Sequence, residues 1–225
     1  MIDVWKIDLE HSGVLDVFMS VLDEQEKTRA ARFRFERHFR HFVVAHAATR
    51  AILSSYCEIG AAELIFEYNP YGKPSIANHG GPSFNLSHSG GIALCSVSST
   101  GEIGVDIEKC RAIDHLGMSE RFFSTLECKV LANLQAEKAI DGFFSTWARK
   151  EAYIKAKGLG LSLPLDAFSV EPNPDLPASL LESEFAPDDV EKFRFWDLQV
   201  PEGYSAALAY SGQKEGPPIL RQWTF

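Results

Sequence analysis

Cysteine is scarce in this chain. The four present, Cys57, Cys95, Cys110 and Cys128, include no C-x-x-C pair. Their spacings suit neither a zinc site nor a disulfide framework, and Cys95, set in "IALCSVS", reads as a small core residue. Long apolar runs are also missing, and none approaches the roughly 20 residues that span a bilayer. The N-terminal "MIDVWKIDLEHSGV" alternates apolar and polar residues and lacks the apolar middle of a signal peptide. A cytoplasmic protein with no membrane partner is the expectation. Positive charge is short as well: 22 Lys and Arg against 31 Asp and Glu give a formal net charge of −9. No nucleic-acid partner is expected, because such surfaces neutralise phosphates with clustered basic residues. Neither the P-loop pattern nor G-x-G-x-x-G occurs, which removes the standard nucleotide-binding signatures. No G-x-S-x-G elbow occurs, which counts against that type of hydrolase.

What the chain does have is enough apolar material for a core. Its 225 residues are 45% hydrophobic and include 16 Phe and 4 Trp, enough for one large domain or two small ones. Ser20 and Asp23 stand at capping-box spacing and predict a helix from about Val21. A longer helix is predicted from about Glu36 to Glu58, with Gly60 just beyond its end. "PSFNLSH", "GIALCSVSST" and "IGVDIEKC" read as successive strands, after turn chemistry at "YNPYGKPSI". Helix resumes in "SERFFSTLECKVLANL" and "EKAIDGFFSTWARKEAYIKAKG", ending at Gly158. "FSVEP", "KFRFWDLQV", "YSAALAYSG" and "LRQWTF" read as strands, and the stretch from Pro172 to Pro187, with four prolines, as loop. Each half thus runs from helices to strands, an α+β pattern. The echo predicts two pseudo-symmetric lobes, residues 1–104 and 105–225, each with helices packed on a small, mostly antiparallel sheet. The junction falls near residues 101–112, and the active site is expected in the cleft there.

The junction carries the first chemical signal. In "GVDIEKC", Ile103, Val105 and Ile107 alternate with Gly104, Asp106 and Glu108, so two carboxylates share one strand face. Such a pair is either a solvated strand face or one that something positive holds together. In "WARKEAYIKAKGLGL", Trp147, Glu151 and Lys155 fall four apart on one helical stripe, which also describes an ordinary Glu–Lys pair. Three carboxylates without suitable His or Cys ligands favour a hard cation such as Mg²⁺. "FNLSHSGG" is either a structural turn or a phosphate cradle of hydroxyls, imidazole and backbone N–H groups. Similarly, "EKTRAARFRFERHFRHF" is either a solvated basic face or a pocket for a small polyanion.

Together, "YGKPSI", "FNLSHS", "GVDIEKC" and "WARKEAYIKAKGLGLSLPL" occur in an order and at intervals that resemble the Sfp-type 4′-phosphopantetheinyl transferases. That family attaches the pantetheine arm of coenzyme A to a serine of apo acyl or peptidyl carrier proteins. The likeness implies that Asp106, Glu108 and Glu151 coordinate Mg²⁺ and that Lys155 contacts the diphosphate, with Lys150 as its basic neighbour. It implies that Ser87 and His88 hold coenzyme A phosphates and that Lys73 with Pro74 lies on the adenine side. Arg29 and Arg32 fall where the family places basic residues near the 3′-phosphate. His41 and His46 stand where relatives commonly carry Arg, so either Arg40 or Arg37 compensates at the 3′-phosphate or nucleotide binding is weaker and more pH-dependent. Glu151 is the implied base, with a metal-bound water as rival relay, and a monomer is implied by analogy. The rival classes are a Mg²⁺-dependent phosphodiesterase, a non-catalytic coenzyme A-binding module and a bare interaction protein.

Overall fold

The computed structural model describes residues 1–10, 13–77, 80–212 and 216–224. Strand β1 (Ile2–Asp8) leads into two short helices, α1 (Leu15–Val21) and α2 (Glu24–Ala30), and then the long α3 (Glu36–Cys57). Short strands β2 (Phe66–Tyr68) and β3 (Pro74–Ile76) form a hairpin, followed by β4 (Ser83–Ser89), β5 (Ile92–Ser98) and β6 (Ile103–Lys109). Helices α4 (His115–Phe122), α5 (Thr125–Ala132) and the long α6 (Ala136–Lys157) come next. The chain closes with β7 (Phe168–Val170), β8 (Leu180–Ser183), a single helical turn α7 (Asp189–Lys192), β9 (Arg194–Asp197), β10 (Tyr204–Tyr210) and β11 (Ile219–Gln222).

The mixed helix-and-sheet class is the one expected. One sheet has the order β11-β1-β5-β4 and another the order β6-β10-β9, with every pairing antiparallel except β1 with β11. Strand alternation stacks them. Ala93, Cys95 and Val97 of β5 face α3, whereas Ile2, Val4 and Leu94 meet Ile103, Val105, Ile107 and Leu208 of the second sheet. The far side of that sheet, Ala207 and Ala209, packs on α6. The last strand, β11, crosses back to the edge of the first sheet, so residues 219–222 lie apart from the sheet that β6, β9 and β10 build.

Several boundaries differ from expectation. The first capping box is Asp23 with Glu26, not Ser20 with Asp23: Asp23 accepts from Glu26 N at 2.8 Å and Glu26 accepts from Asp23 N at 3.1 Å. Ser20 instead donates to Val17 O, within the end of α1. Helix α3 ends as expected, but Glu58 itself takes the left-handed conformation, with φ 54°. Gly158 closes α6 with φ 65°. The Pro172–Pro187 stretch holds β8, because Leu180 and Ser183 turn inward against β7. The strand reading of "LRQWTF" is met in part: β11 covers its first three residues, Trp223 and Thr224 lie beyond the strand, and Phe225 lies outside the described residues. Cys95 is fully buried and its thiol is pushed up to about 12 by that burial, as suits a core residue.

Candidate active site

Gly104 brings the two halves of the site together. It lies on the same face of β6 as Asp106 and Glu108, and a Cβ there would stand 2.1 Å from Ala152 O and 2.3 Å from Ala156 N. Only a residue without a side chain lets the backbone of α6 approach so closely. Helix α6 is then fixed in rotation by the first half of "RKE". Arg149, fully buried, donates to Asp197 Oδ1 at 2.9 Å and to the carbonyls of Asn173 and Leu176. Lys150, equally buried, donates to Glu127 Oε1 and Phe168 O, both at 2.6 Å. With those two anchored away from β6, Glu151 and Lys155 face it.

Lys155 is the positive group that the paired carboxylates require. Its ammonium donates to Asp106 Oδ1 at 2.6 Å and to Ser87 Oγ at 2.8 Å. Asp106 is 2% exposed, and its Oδ2 has no hydrogen-bond partner. Burial first, and the Asp106 charge second, raise the pKa of both Glu108 and Glu151. Among the described residues, no group of three or more Asp, Glu, His or Cys side chains forms a ready metal site.

Strand β4 supplies a second support. No backbone ladder joins it to β6, yet its alternate residues reach across in series. Asn85 Oδ1 accepts from Val105 N at 2.9 Å, Ser87 Oγ donates to Asp106 Oδ1 at 2.8 Å, and Ser89 Oγ donates to Glu108 Oε2 at 3.2 Å. The same alternation sends His88 to the opposite face, separating it from Ser87. His88 lines a cavity of about 200 Å³ with Arg29, His46, Thr49, Tyr68 and Pro74. It also lines one of about 350 Å³ with Arg37, His38, His41 and Ser89. Although its ring reaches solvent, packing lowers its pKa, with Lys155, His46, His41 and Arg29 adding to the effect.

The remaining expected ligand residues fall in different places. Arg29 and Arg32 border a third cavity, of about 490 Å³, beside α2, and Arg40 is half-buried on α3. His41 is buried beside Glu10, while His46 stacks on Phe42 and bonds Glu26 at 2.9 Å. The Lys73 ammonium donates to Ala156 O at 2.6 Å and Ile103 O at 3.1 Å, so it caps the end of α6, while Lys73 and Pro74 together line a cavity of about 400 Å³. Lys150 departs from expectation: its charge is spent on Glu127 inside the core, away from the carboxylate cluster. Sequence reasoning missed Asn85, Ser89, Gly104 and Glu10. The period-2 spacing of Asn85, Ser87 and Ser89 was the available signal for the first two.

Comparison with known proteins sets this geometry in context. Residues 102–209 match the profile of the 4′-phosphopantetheinyl transferase superfamily, and residues 10–100 match that of a 4′-phosphopantetheinyl transferase N-terminal region. Both profiles describe transferases. The chain is 34% identical over 199 residues to the 4′-phosphopantetheinyl transferase HetI of Nostoc sp., covering 84% of each chain. It is 32% identical over 192 residues to the 4′-phosphopantetheinyl transferase Sfp of Bacillus subtilis, covering 85% of this chain and 83% of the relative. This protein belongs to the 4′-phosphopantetheinyl transferase family and is an enzyme of that kind.

Proposed function

We propose that the protein transfers the 4′-phosphopantetheine arm of coenzyme A to a serine hydroxyl of an apo acyl or peptidyl carrier protein. The released product is adenosine 3′,5′-bisphosphate. The observation that carries this reading is the convergence of Asp106, Glu108, Glu151 and Lys155 from β6 and α6, in a chain of this family. The donor set is all oxygen, and buried Asp106 Oδ2 is unpartnered, so the residues fit a hard divalent cation such as Mg²⁺. When bound, that ion supplies charge compensation for the diphosphate.

The protein's own groups do the rest. Lys155, already aimed between Ser87 and Asp106, moves its ammonium onto a phosphate oxygen and offsets charge on the departing nucleotide. The acceptor serine oxygen bonds to the phosphorus bearing the pantetheine arm as the bond to the bridging diphosphate oxygen breaks. Glu151 takes the hydroxyl proton, directly or through a water beside it; burial and the Asp106 charge raise its pKa in the empty site, and a bound cation would lower it again. His88 and Ser87 hold phosphate oxygens, Pro74 borders the adenine, and Arg29, Arg32 and Arg40 with His41 surround the 3′-phosphate. The reading further includes two pseudo-symmetric lobes with the site in the cleft between them, and a cytoplasmic monomer. Among the described residues no helix is long and apolar enough to cross a membrane.

The test mixes protein, coenzyme A, Mg²⁺ and an apo carrier, then weighs the carrier. A gain of one phosphopantetheine is expected. Free phosphopantetheine with unmodified carrier would instead mark a phosphodiesterase, and binding without product a non-catalytic module. Glu151→Gln should slow transfer by at least about 100-fold with an unchanged melting temperature; near-normal turnover would remove Glu151 from the proton transfer.

A further inference from the structure

The cavity of about 350 Å³ beside α3 is unusual for an acidic molecule. Its lining includes Arg37, His38, His41 and His88, four groups that carry or can take positive charge. His41 presents a side chain only 9% exposed, and its Nε2 has no hydrogen-bond partner. A buried ring nitrogen left without a partner calls for an acceptor that can reach it. The nearest acid is Glu10, just beyond the end of β1. Its Oε1 accepts from Arg37 Nη2 at 2.5 Å and from Arg37 Nε at 3.1 Å. The same oxygen pairs with His41 Nε2 at 3.2 Å, at an angle too poor for a good hydrogen bond. One carboxylate oxygen therefore holds both the Arg fork and the imidazole.

We propose that Glu10 is an internal competitor for a phosphomonoester on the donor, occupying the Arg37–His41 position until that phosphate displaces it. The inference rests on coenzyme A being the donor and deepens that reading by naming a residue that sets discrimination for its 3′-phosphate. Three observations support it. Glu10 is half-exposed, with its side chain at 54%, so it can swing out without unfolding anything. The contact it makes is the charge-assisted geometry a phosphate oxygen would use, and the Arg37 hydrogen bond is the first cause of Glu10's lowered pKa. Finally, a carboxylate offers two oxygens where a phosphomonoester offers three and more charge, so exchange favours the ligand.

The plain alternative is an ordinary surface ion pair with no bearing on ligand. The two predict opposite signs. Calorimetric titration of the full chain with coenzyme A and with 3′-dephospho-coenzyme A, at fixed ionic strength and without carrier, separates them. Glu10→Gln and Glu10→Ala should each tighten coenzyme A roughly two- to fivefold, the scale of one exposed ion pair. Binding of the dephospho form should stay unchanged, so the ratio between donors grows. Equal shifts for both donors, no shift, or weaker coenzyme A binding in both variants would overturn the proposal. If wild type binds coenzyme A but never loads a carrier, the transfer reading fails while the Glu10 result still stands or falls by itself.

Discussion

Lys155 and Lys73 show how differently two lysines of the same family motifs are used. Lys155 keeps its ammonium on Asp106 and Ser87, whereas Lys73 is tied to two backbone carbonyls, Ile103 O and Ala156 O. Burial without a full counter-charge lowers the Lys73 pKa from 10.5 to about 8. The sign follows from linkage. Between about pH 8 and 10.5 the unfolded chain holds a proton that the folded chain has released, so this group adds stability as pH rises through that window. Below it, the charged ammonium costs the fold on the order of 3 kcal/mol. Urea unfolding of wild type and Lys73→Met at pH 7 and pH 10.5 reads this directly. Wild type should gain on the variant by about that amount; a difference that stays flat with pH would show that Lys73 is not buried as described.

At the scale of elements, the site depends on how closely α6 lies on β6. Gly104 permits that approach, and the anchors Arg149 and Lys150 set the helix's rotation. A methyl group at position 104 would meet helix backbone at 2.1 Å, so α6 must retreat and carry Glu151 and Lys155 with it. Gly104→Ala should cost about 3 kcal/mol or more of stability and abolish transfer, as read by thermal unfolding and carrier loading. Unchanged melting and activity would contradict the close packing. The elements themselves were largely readable. Periodicity marked α3, α6 and the three strands β4, β5 and β6 near their observed ends. The first capping box was misplaced by three residues because Ser20 and Asp23 imitate its spacing, whereas the acceptor pair that forms is Asp23 and Glu26. Strand β8 was hidden among prolines, since its inward residues Leu180 and Ser183 give only a weak alternation.

At the scale of the whole molecule, two sheets meet back to back and their free edges, β4 and β6, are bridged by Asn85, Ser87 and Ser89. The carboxylates were legible because strand alternation and helical spacing are local properties of sequence. The bridge was not, since it depends on which strand of one sheet lies beside which strand of the other. The same holds for Lys150 and Lys73: a basic residue in a motif looks identical whether its partner is a ligand or a carboxylate 23 positions away. Lys155 now pairs with Asp106 while Ser89 donates to Glu108, and the central claim is that a divalent ion joins the two acids when coenzyme A arrives. A crystal structure of the complex with coenzyme A and Mg²⁺ tests this most directly. One ion should lie about 2.1 Å from oxygens of Asp106, Glu108 and Glu151 and of the diphosphate, with the Lys155 ammonium moved to a phosphate. An ion bound elsewhere, or Lys155 still closed on Asp106 with the diphosphate distant, would contradict the account.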